Sequence, residues 1–285
     1  MTELRKNKDG LNNAVIYAVL SLLGIIWVLP IVYLLYSAFR VRPTTGIINS
    51  LFPENLKFGL TNFQRLFTQT PFLQWVGNTL FIAVSSCVLT TLFILMVSYA
   101  LSRLRFKLRR PIMNVLLVLG MFPGFMSMIA VYFILKAMGL TNSRLALILV
   151  YSGSAALSYY ICKGFFDTIP RGMEEAALLD GANQATIFLK VILPLAKPII
   201  IYTVITSFIA PWCDFIFANT IISEREKYTV ALGLYKMINA EKSSFNDNFT
   251  VFCAGAFVVG VIVVSLFMSM QNYYVEGVTG GAVKG

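Results

Sequence analysis

Six long apolar runs separated by shorter polar segments set the pattern of this chain. About 20 mostly apolar residues are needed for an α-helix to cross the ~30 Å hydrocarbon core of a bilayer, and each run reaches about that length. The runs lie at about 14–38, 76–101, 112–136, 145–165, 198–222 and 250–271. The pattern predicts an all-α polytopic membrane protein with six transmembrane helices, forming a single transmembrane domain over residues 1–285.

Composition supports a membrane protein and disfavours other classes. Apolar residues make up 58% of the chain and charged residues only 13%, about half the usual share in soluble domains. The net charge of +10 resides largely in short loops beside the apolar runs, so it does not indicate a nucleic-acid partner. The chain has no histidine, and its four cysteines lack metal-ligand spacing. We therefore expect no metal site and four free, buried thiols.

The orientation follows from the density of cations in the shortest loops. Five cations fall between the second and third runs: Arg103, Arg105, Lys107, Arg109 and Arg110. This places that loop in the cytoplasm, and with it both termini and the 166–197 segment. Segments 39–75, 137–144 and 223–249 then lie outside.

The third run is interrupted at Pro123, which has Gly124 after it and Gly120 shortly before it. Proline removes a helical hydrogen bond, and glycine lets another backbone approach closely. The interruption indicates either a broken helix that lines a translocation path or a packing kink.

Asp214 is the clear charged residue inside an apolar run, and Trp212 lies beside it. A carboxylate within a membrane span is a functional candidate by default. Two interpretations remain open. Asp214 and Trp212 face the path of the transported solute, or Asp214 caps backbone that Pro211 frees from the helix.

The polar segment at 166–197 reads as two short helices joined by a turn. Glu174 and Glu175 fall in a first helical turn, where the helix dipole favours carboxylates. Asp180-Gly181 interrupts the helix, because glycine readily adopts a positive φ. A second amphipathic piece leads to Pro194. Such a segment predicts a rigid docking site for a soluble partner; a helix-forming stretch at the membrane surface is the plainer alternative.

The spacing of this segment resembles the EAA loop of ABC-importer permeases, Glu-Ala-Ala-x3-Gly-x9-Ile-x-Leu-Pro. The only departure is Val191 at the isoleucine position. The resemblance implies a type I importer permease fold and assigns contacts with an ATPase to this segment. The implied coupling residues are Glu174, Glu175, Ala176, Ala177, Asp180, Gly181, Leu193 and Pro194.

Other motifs are similar to the carbohydrate-uptake branch of these permeases, and within it to the MalG type. They are Tyr99–Phe106, Met121–Pro123, Trp212–Phe215 and the end of the chain at 272–285. The resemblance implies maltose or maltodextrin as cargo; galacto-oligosaccharide, raffinose-type and multiple-sugar uptake remain alternatives. It also implies a second, different permease subunit, two ATPase subunits that bind ATP and Mg, and an extracellular sugar-binding protein at a bacterial cytoplasmic membrane.

Two further partner contacts are predicted, one for the C-terminal tail and one for the 223–249 segment. We expect Gly280, Gly281 and Lys284 in the glycine-rich tail to reach the ATPase, the alternative being a disordered end without function. The mixed charges of 223–249 suit a transient contact with the binding protein, or a solvated connector.

Energy for transport is expected from outside this chain. No phosphate-binding loop of the G-x-x-x-x-G-K-[ST] type occurs, so ATP would be bound by the partner. Charges within the runs are nearly absent, which disfavours an ion-coupled secondary transporter, since such carriers use buried ionisable relays. The lack of histidine and of paired carboxylates within the runs disfavours a membrane enzyme. The prediction is a non-catalytic permease subunit.

Overall fold

The computed structural model describes residues 2–41, 57–121, 124–239 and 244–279. Helices dominate these residues, and a single isolated β-bridge joins Arg40 to Phe58 among them. The helices are α1 Thr2–Phe39, α2 Thr61–Gln69, α3 Phe72–Arg103, α4 Arg109–Met121, α5 Gly124–Ala137, α6 Arg144–Gly153, α7 Ala156–Thr168, α8 Gly172–Leu179, α9 Gln184–Leu195, α10 Lys197–Cys213, α11 Ile216–Ile221, α12 Val230–Asn239 and α13 Ser244–Thr279.

Three continuous segments are long and apolar enough to cross a membrane: Val15–Phe39, Phe72–Arg103 and Asn248–Gln271. Three bent helix pairs complete the count of up to six. Helices α4 and α5 are bent by 108°, α6 and α7 by 44°, and α9 and α10 by 82°. The positions agree with five of the six predicted runs to within a few residues; the bent pair of α9 and α10, Gln184–Cys213, begins and ends earlier than the predicted fifth run at 198–222.

Three of the predicted runs are broken rather than continuous. The fourth breaks between Gly153 and Ala156. The third breaks between Met121 and Gly124, and Pro123 itself lies outside the described residues. The fifth was expected as one span over 198–222 but ends at Cys213 and restarts at Ile216. The physical reason is a new helix start at Asp214, whose side chain accepts a hydrogen bond from the first turn of α11.

The last helix is longer than the sequence predicts. The predicted span at 250–271 agrees with the apolar segment Asn248–Gln271, but the helix itself continues to Thr279, so the disorder expected of a free tail does not hold for residues 277–279. A single glycine costs only about 1 kcal/mol in a helix interior, which does not by itself end a helix of 36 residues. Gly280, Gly281 and Lys284 lie outside the described residues.

The chain divides into two compact units, so the expectation of a single domain stays a prediction. The first unit comprises residues 1–70 and 237–258. Within it, the buried Asn62 amide donates to the carbonyls of Ala38 at 2.9 Å and Arg40 at 2.8 Å, and Thr250 donates to the Asn62 amide oxygen at 2.9 Å. Asn62 therefore pairs backbone groups that the end of α1 leaves without helical partners.

The second unit, residues 71–236 and 259–285, contains the candidate sites. Helix α3 runs through it and packs against α6, α7 and α10. One apolar core surrounds Ile82, toward the start of α3. A second core surrounds Tyr99, toward its end, and includes Phe166 and Ile187. The segment predicted to dock a partner is built on this second core.

Candidate functional site

Helices α8 and α9 form a hairpin, which we call the 172–195 hairpin. Its turn is a Schellman motif: the N–H of Gly181 donates to the Leu178 carbonyl at 3.0 Å, and the N–H of Ala182 donates to the Ala177 carbonyl at 2.9 Å. Gly181 has φ of +81°, and a Cβ there would meet nothing within 4 Å. The predicted turn is confirmed, and the backbone angle rather than space requires glycine.

The second arm of the hairpin is shaped by its two ends. The Asn183 side chain caps α9 by accepting from the N–H of Thr186 at 2.8 Å, as an N-cap residue does. Residues Phe188–Ile192 then widen into a π-helical turn directly before Leu193 and Pro194. Proline cannot donate a backbone hydrogen bond, and such bulges are frequent at functional sites. The arm meets α10 at an angle of 82°.

One side of the hairpin is embedded in the core at the end of α3. Ile187 and Ile192 are fully buried there, and Ala177 and Val191 pack against the same cluster. The ring of Phe188 lies 4.7 Å from the ring of Tyr99, centroid to centroid. The amphipathic face predicted for the second arm is therefore confirmed, and it holds the hairpin to the spans.

The opposite side of the hairpin is exposed, acidic and apolar. Glu175, Ala176 and Asp180 are exposed, and Leu179 has a relative accessibility of 90%. Further apolar side chains on this surface are Met173, Leu178 and Leu189. Exposed apolar side chains interspersed with carboxylates are typical of a protein–protein contact.

Glu174 differs from its neighbour because it faces inward. Its carboxylate oxygen Oε1 lies 2.8 Å from Nε of Arg103, an ion pair without hydrogen-bond geometry, and the two side chains are only 14% and 4% exposed. Nη2 of Arg103 also donates to the carbonyls of Phe166 at 2.6 Å and Ile169 at 2.8 Å. Glu174, one of the predicted coupling residues, therefore has its partner, Arg103, within this chain.

Two further residues of α3 bind the same region. The Tyr99 hydroxyl donates to Oε1 of Gln184 at 3.0 Å, and the Ser102 hydroxyl donates to Oδ1 of Asp167 at 2.5 Å. Lys163 pairs with the other oxygen of Asp167. The sequence assigns Arg103 to the cytoplasmic loop and to the Tyr99–Phe106 motif, and it does not predict these contacts. The available signal was the spacing of Tyr99, Ser102 and Arg103, which places three polar groups on one helical face.

Asp214 is bound on both carboxylate oxygens by this chain. Oδ2 accepts from the Tyr151 hydroxyl at 2.7 Å, and Oδ1 accepts from the N–H of Phe217 at 3.1 Å. A carboxylate cannot bond the carbonyl that Pro211 frees, because both groups are acceptors; Asp214 instead caps the start of α11. Trp212 is buried, and its indole N–H has no acceptor among the described residues. A role of Asp214, Trp212 or Pro123 in a solute path stays a prediction.

Side chains at the start of α3 bind the backbone of the 223–230 segment. Trp75 donates to the Arg225 carbonyl at 3.2 Å, Asn78 donates to the Glu226 carbonyl at 2.7 Å, and Thr79 accepts from the Val230 N–H at 2.8 Å. These bonds fix the backbone of the segment while Glu224, Arg225 and Glu226 stay exposed.

Charge pairing within the 223–230 segment adds to this fixation. The carboxylate of Glu224 lies 2.8 Å from Nζ of Lys227. The backbone N–H groups of Ser223 and Glu224 both donate to Oδ1 of Asn142 at 3.1 Å. The hydrogen bond from Lys227 holds the pKa of the Glu224 carboxyl below its usual range. The segment therefore presents a defined charged surface.

Within the described residues, no three Cys, Asp or Glu side chains come together as a metal site. The buried contacts of the 172–195 hairpin are made with other helices of the same chain. The hairpin contains no phosphate-binding loop of the G-x-x-x-x-G-K-[ST] type. The hairpin is thus packed against α3 and α7 on one side and open to a partner on the other.

Comparison with known proteins gives a family match over most of the chain. The model of the binding-protein-dependent transport system inner membrane component matches residues 92–276. The galactooligosaccharides transport system permease protein GanQ of Bacillus subtilis is 31% identical, covering 94% of each chain. The maltodextrin transport system permease protein MdxG of the same species is 32% identical, covering 96% of this chain and 97% of the relative. MalD of Streptococcus pneumoniae, also named for maltodextrin, is 30% identical over 98% of each.

Solved structures show the same fold at lower identity. A bacterial ABC transporter that imports the acidic polysaccharide alginate aligns with a TM-score of 0.77 at 22% identity, covering 94% of this chain and 97% of the other. A structure of an alginate ABC transporter in complex with a pentasaccharide-bound periplasmic protein aligns with a TM-score of 0.61 at 15% identity. The predicted all-α polytopic permease fold is confirmed.

Proposed function

Because the chain belongs to the family of binding-protein-dependent transport system inner membrane components, we propose that it is the permease subunit through which an ATP-driven importer passes maltose or a maltodextrin. The observation that carries this proposal is near-full-length similarity, at 30–32% identity, to three permeases named for oligosaccharide transport. The subunit is a multi-pass inner membrane protein. It is non-catalytic, as its relatives are permease subunits, and ATP hydrolysis belongs to partner subunits.

Maltodextrin is favoured over other sugars by the relatives named for it and by the end of the chain. MdxG, MalD and the MalG proteins of Vibrio and Yersinia all carry maltose or maltodextrin in their names. The tail at 272–285 resembles that of the MalG type. Galacto-oligosaccharide is the second candidate, since GanQ is as similar as MdxG to within one per cent.

A competition experiment separates the two cargoes. Proteoliposomes with the complete importer would be supplied with labelled maltotriose and an excess of unlabelled galacto-oligosaccharide, and then with the labels reversed. Maltotriose uptake that survives the competitor supports the maltodextrin assignment. Uptake of the galactosyl sugar that maltotriose does not suppress would replace it with the second candidate.

Coupling to ATP is proposed to pass through the exposed face of the 172–195 hairpin. Leu179 and the carboxylate of Glu175 are accessible there, and Gly181 fixes the turn that presents them. Each of the two permease subunits would offer one such surface to one of two ATPase subunits, which bind ATP and Mg. Closure of the ATPase pair would then displace the hairpins and switch the path between outward and inward access.

The remaining partners follow from the proposed orientation. With the 172–195 hairpin in the cytoplasm, both termini lie on that side and the 223–230 segment lies outside. That segment would meet the extracellular sugar-binding protein, because it is a charged surface held in a fixed position. The tail with Gly280, Gly281 and Lys284 would reach the ATPase; deletion of 277–285 tests this through lost or uncoupled ATP hydrolysis with insertion intact.

A further inference from the structure

Three polar side chains at the end of α3 hold three different parts of the coupling region. Tyr99 binds Gln184 in α9, Ser102 binds Asp167 at the end of α7, and Arg103 binds Glu174 in α8. Residues at i, i+3 and i+4 lie on one face of a helix, so one face of α3 contacts α7, α8 and α9 together.

Arg103 is the central member of this face. It reaches Glu174 at 2.8 Å through Nε, and it reaches two backbone carbonyls through Nη2, those of Phe166 and Ile169. These carbonyls belong to the last turn of α7 and to the connection that leads into α8. The planar guanidinium combines the ion pair at Nε with two hydrogen bonds from Nη2, which the single ammonium of lysine cannot do in the same geometry.

Burial makes the loss of either member of the Arg103–Glu174 pair unfavourable. The Arg103 side chain is 4% exposed and that of Glu174 is 14% exposed, so water screens the charges little. Removing one partner from a buried pair leaves the other charge without compensation, which is strongly unfavourable. Separating the hairpin from α3 is therefore unfavourable in free energy, whereas its exposed face is accessible to a partner.

We propose that Arg103 is a positioning residue that locks α8 to α3 through Glu174, so that movement of the hairpin becomes movement of the spans. This inference rests on the proposed function. It divides the two neighbouring carboxylates by role. Glu175 meets the ATPase, and Glu174 transmits the resulting displacement inward without touching the partner.

The readout that separates transmission from folding is the amount of sugar taken up per ATP hydrolysed. Glu174→Gln keeps the shape of the side chain and removes its charge. In the complete importer, reconstituted in proteoliposomes with the binding protein and maltotriose, we expect this variant to retain its ATPase subunits on purification. Its uptake per ATP should fall at least tenfold. Lys136→Gln, at an exposed cation at the end of α5, is the matched control and should keep the wild-type ratio.

Variants of the partner test whether the two residues act as a pair. Arg103→Gln should lose coupling as Glu174→Gln does, and the double variant should be no worse than either single one, since residues of one interaction are non-additive. Arg103→Lys keeps the charge and should fall between the wild type and Arg103→Gln. If Arg103→Gln does not insert, Glu174→Gln alone decides.

Three outcomes are distinguishable. A Glu174→Gln complex with uptake per ATP within twofold of wild type would overturn the positioning role. So would loss of the ATPase subunits from that complex, because Glu174 would then be a docking contact. A wild-type complex without ATP-driven uptake would instead overturn the proposed function.

Discussion

Glu174 and Glu175 are consecutive residues of α8, yet their carboxylates lie in opposite surroundings. Glu174 forms a buried ion pair with Arg103 at 2.8 Å, and Glu175 is exposed on the outer face of the hairpin. We propose that Glu174 fastens the hairpin to the membrane helices and that Glu175 contacts a partner.

Charge reversal at Glu175 should act on the partner contact alone. Glu175→Lys places a cation where the resemblance implies a cationic site on the ATPase. We expect the subunit to insert normally and sugar-stimulated ATP hydrolysis by the complex to fall at least tenfold. Co-purification of the ATPase and hydrolysis rates check this, with Glu175→Gln as the milder matched variant. Normal hydrolysis by the Glu175→Lys complex would remove Glu175 from the contact.

Substitution of Gly181 should follow backbone angle rather than size. A Cβ at this position meets nothing within 4 Å, but φ is +81°. Left-handed backbone costs an L-residue roughly 1–2 kcal/mol, and asparagine tolerates it best. Gly181→Val should therefore impair uptake strongly and Gly181→Asn only mildly, although both side chains are larger than that of glycine. Equal loss in the two variants would indicate a steric contact with the partner instead.

The sequence predicted the six apolar runs, the Gly181 turn and the buried face of α9, because each follows from local pattern and backbone chemistry. It did not predict the partners of Tyr99, Ser102 and Arg103. Those contacts join residues more than 60 positions apart, and periodicity carries no information about which distant group meets which. For Asp214 the sequence left a place in the solute path and a cap on backbone freed by Pro211 both open, and it predicted neither Tyr151 nor Phe217 as a partner.

Asp214 tests whether its role is structural or lies in the solute path. Losing the cap on α11 and the bond from Tyr151 should destabilise the complex by roughly 1–3 kcal/mol. Asp214→Ala should lower the Tm, and Tyr151→Phe should lower it less, since the cap on Phe217 remains. The apparent KM for sugar uptake should stay unchanged in both variants. A raised KM with an unaltered Tm would place Asp214 in the path.

The 223–230 segment should contact the sugar-binding protein at its exposed charges. Single cysteines at Arg225 or Glu226, introduced into a chain without its four native cysteines, should form crosslinks to the binding protein when sugar is present. A cysteine at Lys190, exposed on the 172–195 hairpin at the opposite side of the membrane in the proposed orientation, serves as the control. The complete absence of adducts from both outer positions would make the segment a solvated connector.

The energy source of transport tests the central claim most directly. Labelled maltotriose uptake would be measured in proteoliposomes that contain this subunit, its permease partner and the ATPase subunits, with the binding protein outside and ATP inside. The account predicts uptake that requires ATP and the binding protein and continues when ionophores collapse the proton and sodium gradients. Uptake that a proton or sodium gradient drives without ATP would contradict it.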